Sequence, residues 1–436
     1  MDDLDTQSIS RVQVKFFTRH TEYSIPDTTY SIPSHVTCKE LCTFINKLLS
    51  DGSEEDRKIA FDFLINGEIL RLPLQQFLEQ KEISLETVVE IEFIPSYPEP
   101  TPELSLACDD WVSAVRACEK WILTGCYDNT LHIWTSEGEH KLTIPGHIAP
   151  VKSVAWISID NPVSIFVSTS HDETAVIWKW NQQMNAVECI HVCRGHARSV
   201  DCVDVSLCRR KFATGSYDHM LKIWSLDFEN DQYIDNVESE TNRKKMKTEN
   251  GETKTRVPLL TLSGHSEAVT GVQWTDMNEL CSASMDNNLS LWDVEMASLK
   301  SQLNGSKPFF DISYSPLSRH IVSASADRHV RLWDPRIKDG SVVQCAFTSH
   351  NGWVSAVHWS PVSEHQFISG SYDSVLKLWD TRSPKVPLFN MLGHEEKILC
   401  VDWSTPNRII SGGADNYIKI FDSRVEVTKG EGNSRS

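Results

Sequence analysis

The chain has 436 residues, 42 of them basic and 60 acidic, for a net charge of −18, with 23% charged and 40% hydrophobic residues. It is too long for one ordinary domain and too apolar for wholesale disorder, and so acidic a surface does not attract nucleic acid indiscriminately. No apolar run approaches the ~18 residues of a membrane helix, and the opening MDDLDTQSIS lacks the basic start and apolar stretch of a secretory signal, so an intracellular chain with no membrane partner is expected.

A first unit is expected over residues 1–95. RVQVKFFT (11–18) alternates apolar and polar residues and reads as a strand, with 23–33 as its hairpin partner. In 37–50, Leu41, Phe44, Ile45 and Leu48 share one face behind the N-cap candidate Thr37, which predicts an amphipathic helix. FDFLINGEIL (61–70) is a strand with an Asn-Gly turn, LPLQQFLEQK a short helix, and TVVEIEFI (87–94) a last strand. The order β-β-α-β-β with a short helix is that of an α+β ubiquitin-like fold. Residues 1–98 carry 17 acids and 9 bases, a net charge of −8. PSYPEPTP follows, and four prolines in eight positions predict a stiff linker over 96–102.

From 103 the sequence repeats. TGCYDNTLHIW, STSHDETAVIW, TGSYDHMLKIW, SASMDNNLSLWD, SASADRHVRLWD, SGSYDSVLKLWD and SGGADNYIKIFD are seven copies of one line. Their aromatic ends are Trp134, Trp178, Trp224, Trp292, Trp333, Trp379 and Phe421, mostly 41 to 46 residues apart. A period of about 40–45 residues marks a propeller repeat. Ahead of most copies stands His147, His196, His265, His350 or His394, 21 to 25 residues before the turn residue Asp172, Asp218, Asp286, Asp373 or Asp415. Asp327 sits in the same turn of the fifth copy, but Asn304-Gly305-Ser306 replaces its Gly-His. An Asp in such a turn can accept from the turn backbone and from the His of the preceding loop. Recurrence once per repeat argues against reading these Asp-His pairs as catalytic dyads. Only 14 residues follow Asp422, mostly polar, and 424–436 reads as a disordered tail. ELSLAC (103–108) is therefore expected to supply the last blade's outer strand and close the ring.

The one long step, of 68 residues, marks an insertion at 228–257 with seven acids, six bases and little apolar content, expected to be a disordered loop. Arg243, Lys244, Lys245 and Lys247 within it are a nuclear import candidate, with RNA contact and a plain solvated loop as the other readings. The twelve cysteines contain no CxxC pair. Cys189, His191 and Cys193 could be metal ligands, but no second pair exists; as residues of one strand they would share a face and be half-buried. No Gly-rich phosphate loop, nucleophile elbow or paired metal motif occurs, so no enzyme, catalytic residue or cofactor is expected.

Residues 103–423 resemble the WD-repeat propellers, here with seven blades. That resemblance implies a buried chain of His, Ser or Thr, Asp and Trp in each complete blade. The segments VKFFT, FDFLINGEILR and VEIEF resemble the NLE domain that precedes propellers in ribosome-assembly factors. Seven blades and the charged insertion resemble the WD repeat-containing protein 12 family more than the eight-bladed Notchless family. The resemblance implies a non-catalytic scaffold of the large-subunit (60S) precursor in the nucleolus and nucleoplasm, and a role in ribosomal RNA maturation. Its partners would be Pescadillo, a BOP-type WD-repeat protein and the AAA ATPase midasin. Glu86 matches the family position that completes midasin's metal site in trans, with Glu82 and Glu68 as rivals. Mg²⁺ retains exchangeable waters that such a carboxylate can displace. Trp111 and Trp353, each just before a blade's first strand, are candidate partner anchors; the alternative is packing on neighbouring loops. The alternative function is a substrate adaptor in a ubiquitin-ligase or signalling assembly.

Overall fold

The computed structural model describes residues 10–50, 59–84, 87–227, 254–337 and 343–423. The chain forms two units, Met1–Pro98 and Glu99–Ser436.

In the first unit β1 (Arg11–Phe17) pairs antiparallel with β2 (Thr29–Pro33). α1 (Cys38–Leu49) starts at a capping box: the Glu40 carboxylate accepts the Thr37 N–H at 2.8 Å and Thr37 caps the helix in return. β3 (Phe61–Ile65) and β4 (Glu68–Ile69) turn through Asn66 and Gly67, both at positive φ. α2 (Leu74–Gln80) and β5 (Val89–Pro95) complete the unit. The sheet order is β2-β1-β5-β3-β4, with β5 parallel to β1 in the centre. Central Ile91 and Phe93 are fully buried against Leu41 and Ile45 of the helix, the face the spacing predicted, with Phe44 and Leu48 partly buried beside them.

The described residues of the second unit form seven sheets of four antiparallel strands each, one of which carries a fifth, parallel strand. Blade 1 takes Val112–Ala117, Trp121–Cys126, Thr130–Thr135 and His140–Pro145. Blades 2 to 6 follow, with first strands Val151–Ile159, Val200–Val205, Val269–Trp274, Phe309–Tyr314 and Val354–Trp359. Blade 7 takes Ile398–Thr405, Arg408–Gly413 and Tyr417–Asp422, and its fourth strand is Thr101–Ala107. The first strands touch one another in succession, and that of blade 7 returns to that of blade 1, so the ring is closed. The closing strand begins inside the expected proline linker, where Pro102 tolerates a register shift opposite Phe421.

Neighbouring blades are tied at the innermost strands. Asp204 accepts the Trp274 N–H at 2.7 Å, Asp311 the Val357 N–H at 3.0 Å, and Asp402 the Ala117 N–H at 2.8 Å. Gly370 allows the close approach of the next blade: a Cβ there would stand 2.6 Å from Ile398 Cγ2.

Two expectations are corrected. Lys254–Arg256, assigned to the disordered insertion, is a strand parallel to the outer strand of blade 2 (Ala186–Arg194), pairing His191 with Lys254 and Cys193 with Arg256. It covers an edge that would otherwise offer unpaired backbone groups. Residues 228–253, including Arg243, Lys244, Lys245 and Lys247, and the tail 424–436 lie outside the described residues. Secondly, Cys189, His191 and Cys193 do not share a face. A bulge sets Ile177 opposite His191 but Trp178 opposite Cys189. Cys189 therefore packs with Trp178 and Trp180, whereas Cys193 packs with Ile177 on the other side.

Candidate partner-binding surfaces and the networks behind them

Each blade's second and third strands are joined by the same turn. In all seven, one oxygen of the turn Asp accepts the N–H two residues on, at Thr130, Thr174, Met220, Asn288, His329, Val375 and Tyr417. The residue between is left-handed every time, with φ from 62° at Ser374 to 72° at Asn129. Only three of those seven residues are Asn, so the turn is held by the Asp side chain more than by the propensity of its neighbour.

The other Asp oxygen enters the buried chain. In blade 4, Trp292 Nε1 donates to Ser282 Oγ at 2.8 Å, Ser282 lies 2.8 Å from His265 Nε2, and His265 Nδ1 lies 2.8 Å from Asp286. His147, Ser168, Asp172 and Trp178 repeat this in blade 2. His196, Thr214, Asp218 and Trp224 do so in blade 3. His350, Ser369, Asp373 and Trp379 do so in blade 6. Every donor has one acceptor if the proton sits on Nδ1, which fixes the neutral tautomer. Gly264 lies against the indole: a Cβ there would meet Trp292 Cη2 at 2.8 Å.

Three blades differ, as their sequences require. Blade 7 keeps His394, Ser411 and Asp415, but Phe421 ends the chain without a donor. Blade 5 lacks the His; Trp333 still donates to Ser323 at 2.8 Å, and Arg331 forms a bidentate ion pair with Asp327. Arg331 stands four residues after the turn Asp, a substitution the linear pattern concealed. Blade 1 also lacks the His. Cys108 takes its register, and His132, again four residues after the turn Asp128, approaches from the third strand.

These networks set the response to acid. Burial alone raises the Asp218 carboxyl; hydrogen bonds from His196 and the Ala197 N–H outweigh it and hold it at about 2. Asp172, Asp286 and Asp373 are lowered by the same balance. Burial lowers His265, His350 and His394, so their contribution fades as pH falls from about 6.5. Asp204 and Asp311 act oppositely: burial pushes each up to about 6, so acidification through that range favours the fold. Below the unfolded Asp value of about 4, the low-pKa turn carboxylates still require deprotonation in the fold, and stability falls steeply. The urea midpoint is expected to drop more between about pH 5 and pH 3 than between about pH 7 and pH 5. A steeper loss over the upper interval contradicts this.

Trp111 is 45% exposed and Trp353 50% exposed, so both anchor candidates keep half their area free. Each also packs on a neighbouring loop, as the alternative required. Trp111 meets Tyr127 edge-on at 5.4 Å, and Trp353 lies between Phe310 and Tyr372 at 5.7 and 5.8 Å. Their equivalent register in blades 6 and 1 puts them on one face of the ring, on either side of blade 7. Lys152 lies over the Tyr127 ring at 5.5 Å and Lys397 over Tyr372 at 5.1 Å. Beside Trp353 a surface hollow is lined by Lys307, Arg328, Tyr372 and Lys397. Rigid aromatics among cations suit an acidic or aromatic partner segment.

On the first unit, Glu86 lies outside the described residues. Of its rivals, Glu68 is held by Lys81 at 2.5 Å. Glu82 is exposed at φ 54°. Phe17, Leu72 and Val88 are exposed apolar residues on the same unit.

Residues 12–78 match the NLE (NUC135) domain, and seven segments from 101–135 to 385–422 match the WD domain, G-beta repeat. A ribosome biogenesis protein WDR12 homolog of Ixodes scapularis is 60% identical over 422 residues, covering 95% of this chain and 99% of the relative. The chain belongs to the WDR12 family of ribosome biogenesis proteins. The Aedes aegypti homolog is 48% identical over 97% of each chain, and that of Drosophila virilis 49% over 95% and 96%. The likeness to the WDR12 homologs spans both units, so the NLE domain and the seven-bladed propeller are features of one family architecture.

Proposed function

We propose that this protein is a non-catalytic scaffold in maturation of the large (60S) ribosomal subunit and its ribosomal RNA, acting in the nucleolus and nucleoplasm. The observation that carries the reading is the end-to-end likeness to ribosome biogenesis relatives, which extends through both units. The propeller joins Pescadillo and a BOP-type WD-repeat protein, and Trp111 and Trp353 anchor that contact on the aromatic and cationic face. The NLE domain presents Glu86 to the metal site of midasin, and this docking allows factor release from the pre-60S particle. The net charge of −8 over 1–98 supports an electropositive or metal-bearing partner for that unit. The cluster Arg243, Lys244, Lys245 and Lys247 serves nuclear import.

Tagged full-length protein is expected to recover Pescadillo, the BOP-type protein and midasin, with midasin lost on adding a chelator. Glu86→Ala abolishes midasin capture alone. The double variant Trp111→Ala/Trp353→Ala abolishes capture of the other two at unchanged melting temperature. Midasin capture that is undiminished in Glu86→Ala sinks the assignment of that carboxylate.

A further inference from the structure

Blade 1 replaces the blade network with a different set of donors. Where five blades place a His, it has Cys108. Where Ser170, Ser216, Ser284, Ser325 and Ser371 stand two residues before the turn Asp, it has Cys126. The Cys126 thiol is fully buried, with the Cys108 thiol beside it. The Cys126 sulfur, an Asp128 oxygen and a His132 ring nitrogen all lie within 4.8 Å of one another.

Asp128 spends one oxygen on the turn, accepting from Thr130 N at 2.9 Å and Thr130 Oγ at 2.6 Å. Among the described residues no hydrogen bond reaches its other oxygen, which in other blades takes a His or an Arg. Thr130 Oγ is also 2.9 Å from His132 Nε2, so Nε2 is the nitrogen on the Asp128 side. His132 Nδ1 has His140 at 3.3 Å and Thr143 at 3.2 Å, the kind of outer partners that orient a ligating imidazole.

We propose that Cys126, Asp128 and His132 form a binding site for a divalent zinc-class cation in blade 1, with the adjacent Cys108 thiol moving in as the fourth donor. Two thiolates, an imidazole nitrogen and a carboxylate make a four-donor set of mixed softness, which favours Zn²⁺ over Mg²⁺ or Ca²⁺. The two thiols give up their protons to solvent as the metal binds, and their negative charge balances the ion. Cys108 and Asp128 are only half-buried, which leaves a route in from solvent. The ion joins the closing strand's end, at Cys108, to the second and third strands of blade 1. It thereby occupies the place where the His-Asp pair ties strands together elsewhere.

The test uses the full chain, prepared reduced and metal-free. Zn²⁺ is titrated against a chromogenic chelator, and melting is followed with and without the ion. One tight Zn²⁺ per chain and a higher melting temperature are expected. Co²⁺ in its place should show sulfur-to-metal charge-transfer absorption. Cys126→Ser is the decisive variant, because serine at this position is native to five blades and keeps the fold. It should lower Zn²⁺ affinity by more than about a hundredfold, beyond the cost of losing an outer partner, with the metal-free melting temperature unchanged. Cys108→Ser should do the same. Absence of stoichiometric binding in the wild type, or binding and stabilisation in both serine variants equal to those of the wild type, overturns the site. So does finding Cys108 and Cys126 joined as a disulfide in protein isolated under thiol-trapping conditions.

Discussion

Trp292→Ala is expected to destabilise the propeller by about 3–5 kcal/mol, the usual cost of emptying a large buried aromatic site. The indole is 2% exposed, packs with Val269, Leu280 and Leu221, and fills the space against Gly264. Its loss also removes the donor to Ser282 and loosens the chain that ends at Asp286. Trp353→Ala removes the same side chain from a half-exposed place and is expected to change stability by less than about 1 kcal/mol. Equilibrium unfolding in urea of both variants measures the contrast. Equal losses would show that Trp353 is a structural residue and not a partner anchor.

The second large effect concerns ring closure. A chain beginning at Glu99 is expected to give a soluble, monomeric propeller, and one beginning at Asp110 an aggregating or non-cooperative product. The difference is the strand Thr101–Ala107, which pairs with Tyr417–Asp422 and buries Leu106 beside Ile418 and Ile420. Without it, blade 7 has a bare edge next to an uncovered apolar face, a template for intermolecular pairing. Burying Leu106, with Leu104 partly covered beside it, is itself worth about 2–4 kcal/mol at ordinary transfer values. Arg408, paired with Glu103 at 3.0 Å, loses its partner as well. Size-exclusion chromatography and cooperative melting of the two chains decide the matter. A monomeric, cooperatively melting chain that starts at Asp110 contradicts the closing role.

Much of this molecule is legible in its sequence. The seven turns, the buried His-Asp-Trp chains and the helix start at Thr37 rest on contacts whose spacing in the sequence repeats or is short. The closing strand was legible for another reason: a ring lacking a fourth strand at one end must borrow it from the other. The partner surface was legible only in part. Trp111 and Trp353 could be placed at equivalent positions, but their flanking depends on the turn residues Tyr127 and Tyr372 and on Phe310 of the first strand of blade 5.

Sequence alone determined the class of each unit, because hydrophobic period, turn chemistry and repeat length are local properties that the fold only multiplies. Tertiary structure decided what depends on register between distant strands. It placed Arg331 against Asp327 where a His was missing, and gathered Cys126, Asp128 and His132 within 4.8 Å of one another. It moved Cys189 away from His191 by one bulge, and laid residues 254–256 along blade 2. In each case a shift of one residue in pairing would send the side chain to the opposite face. No feature of the linear sequence carries that information.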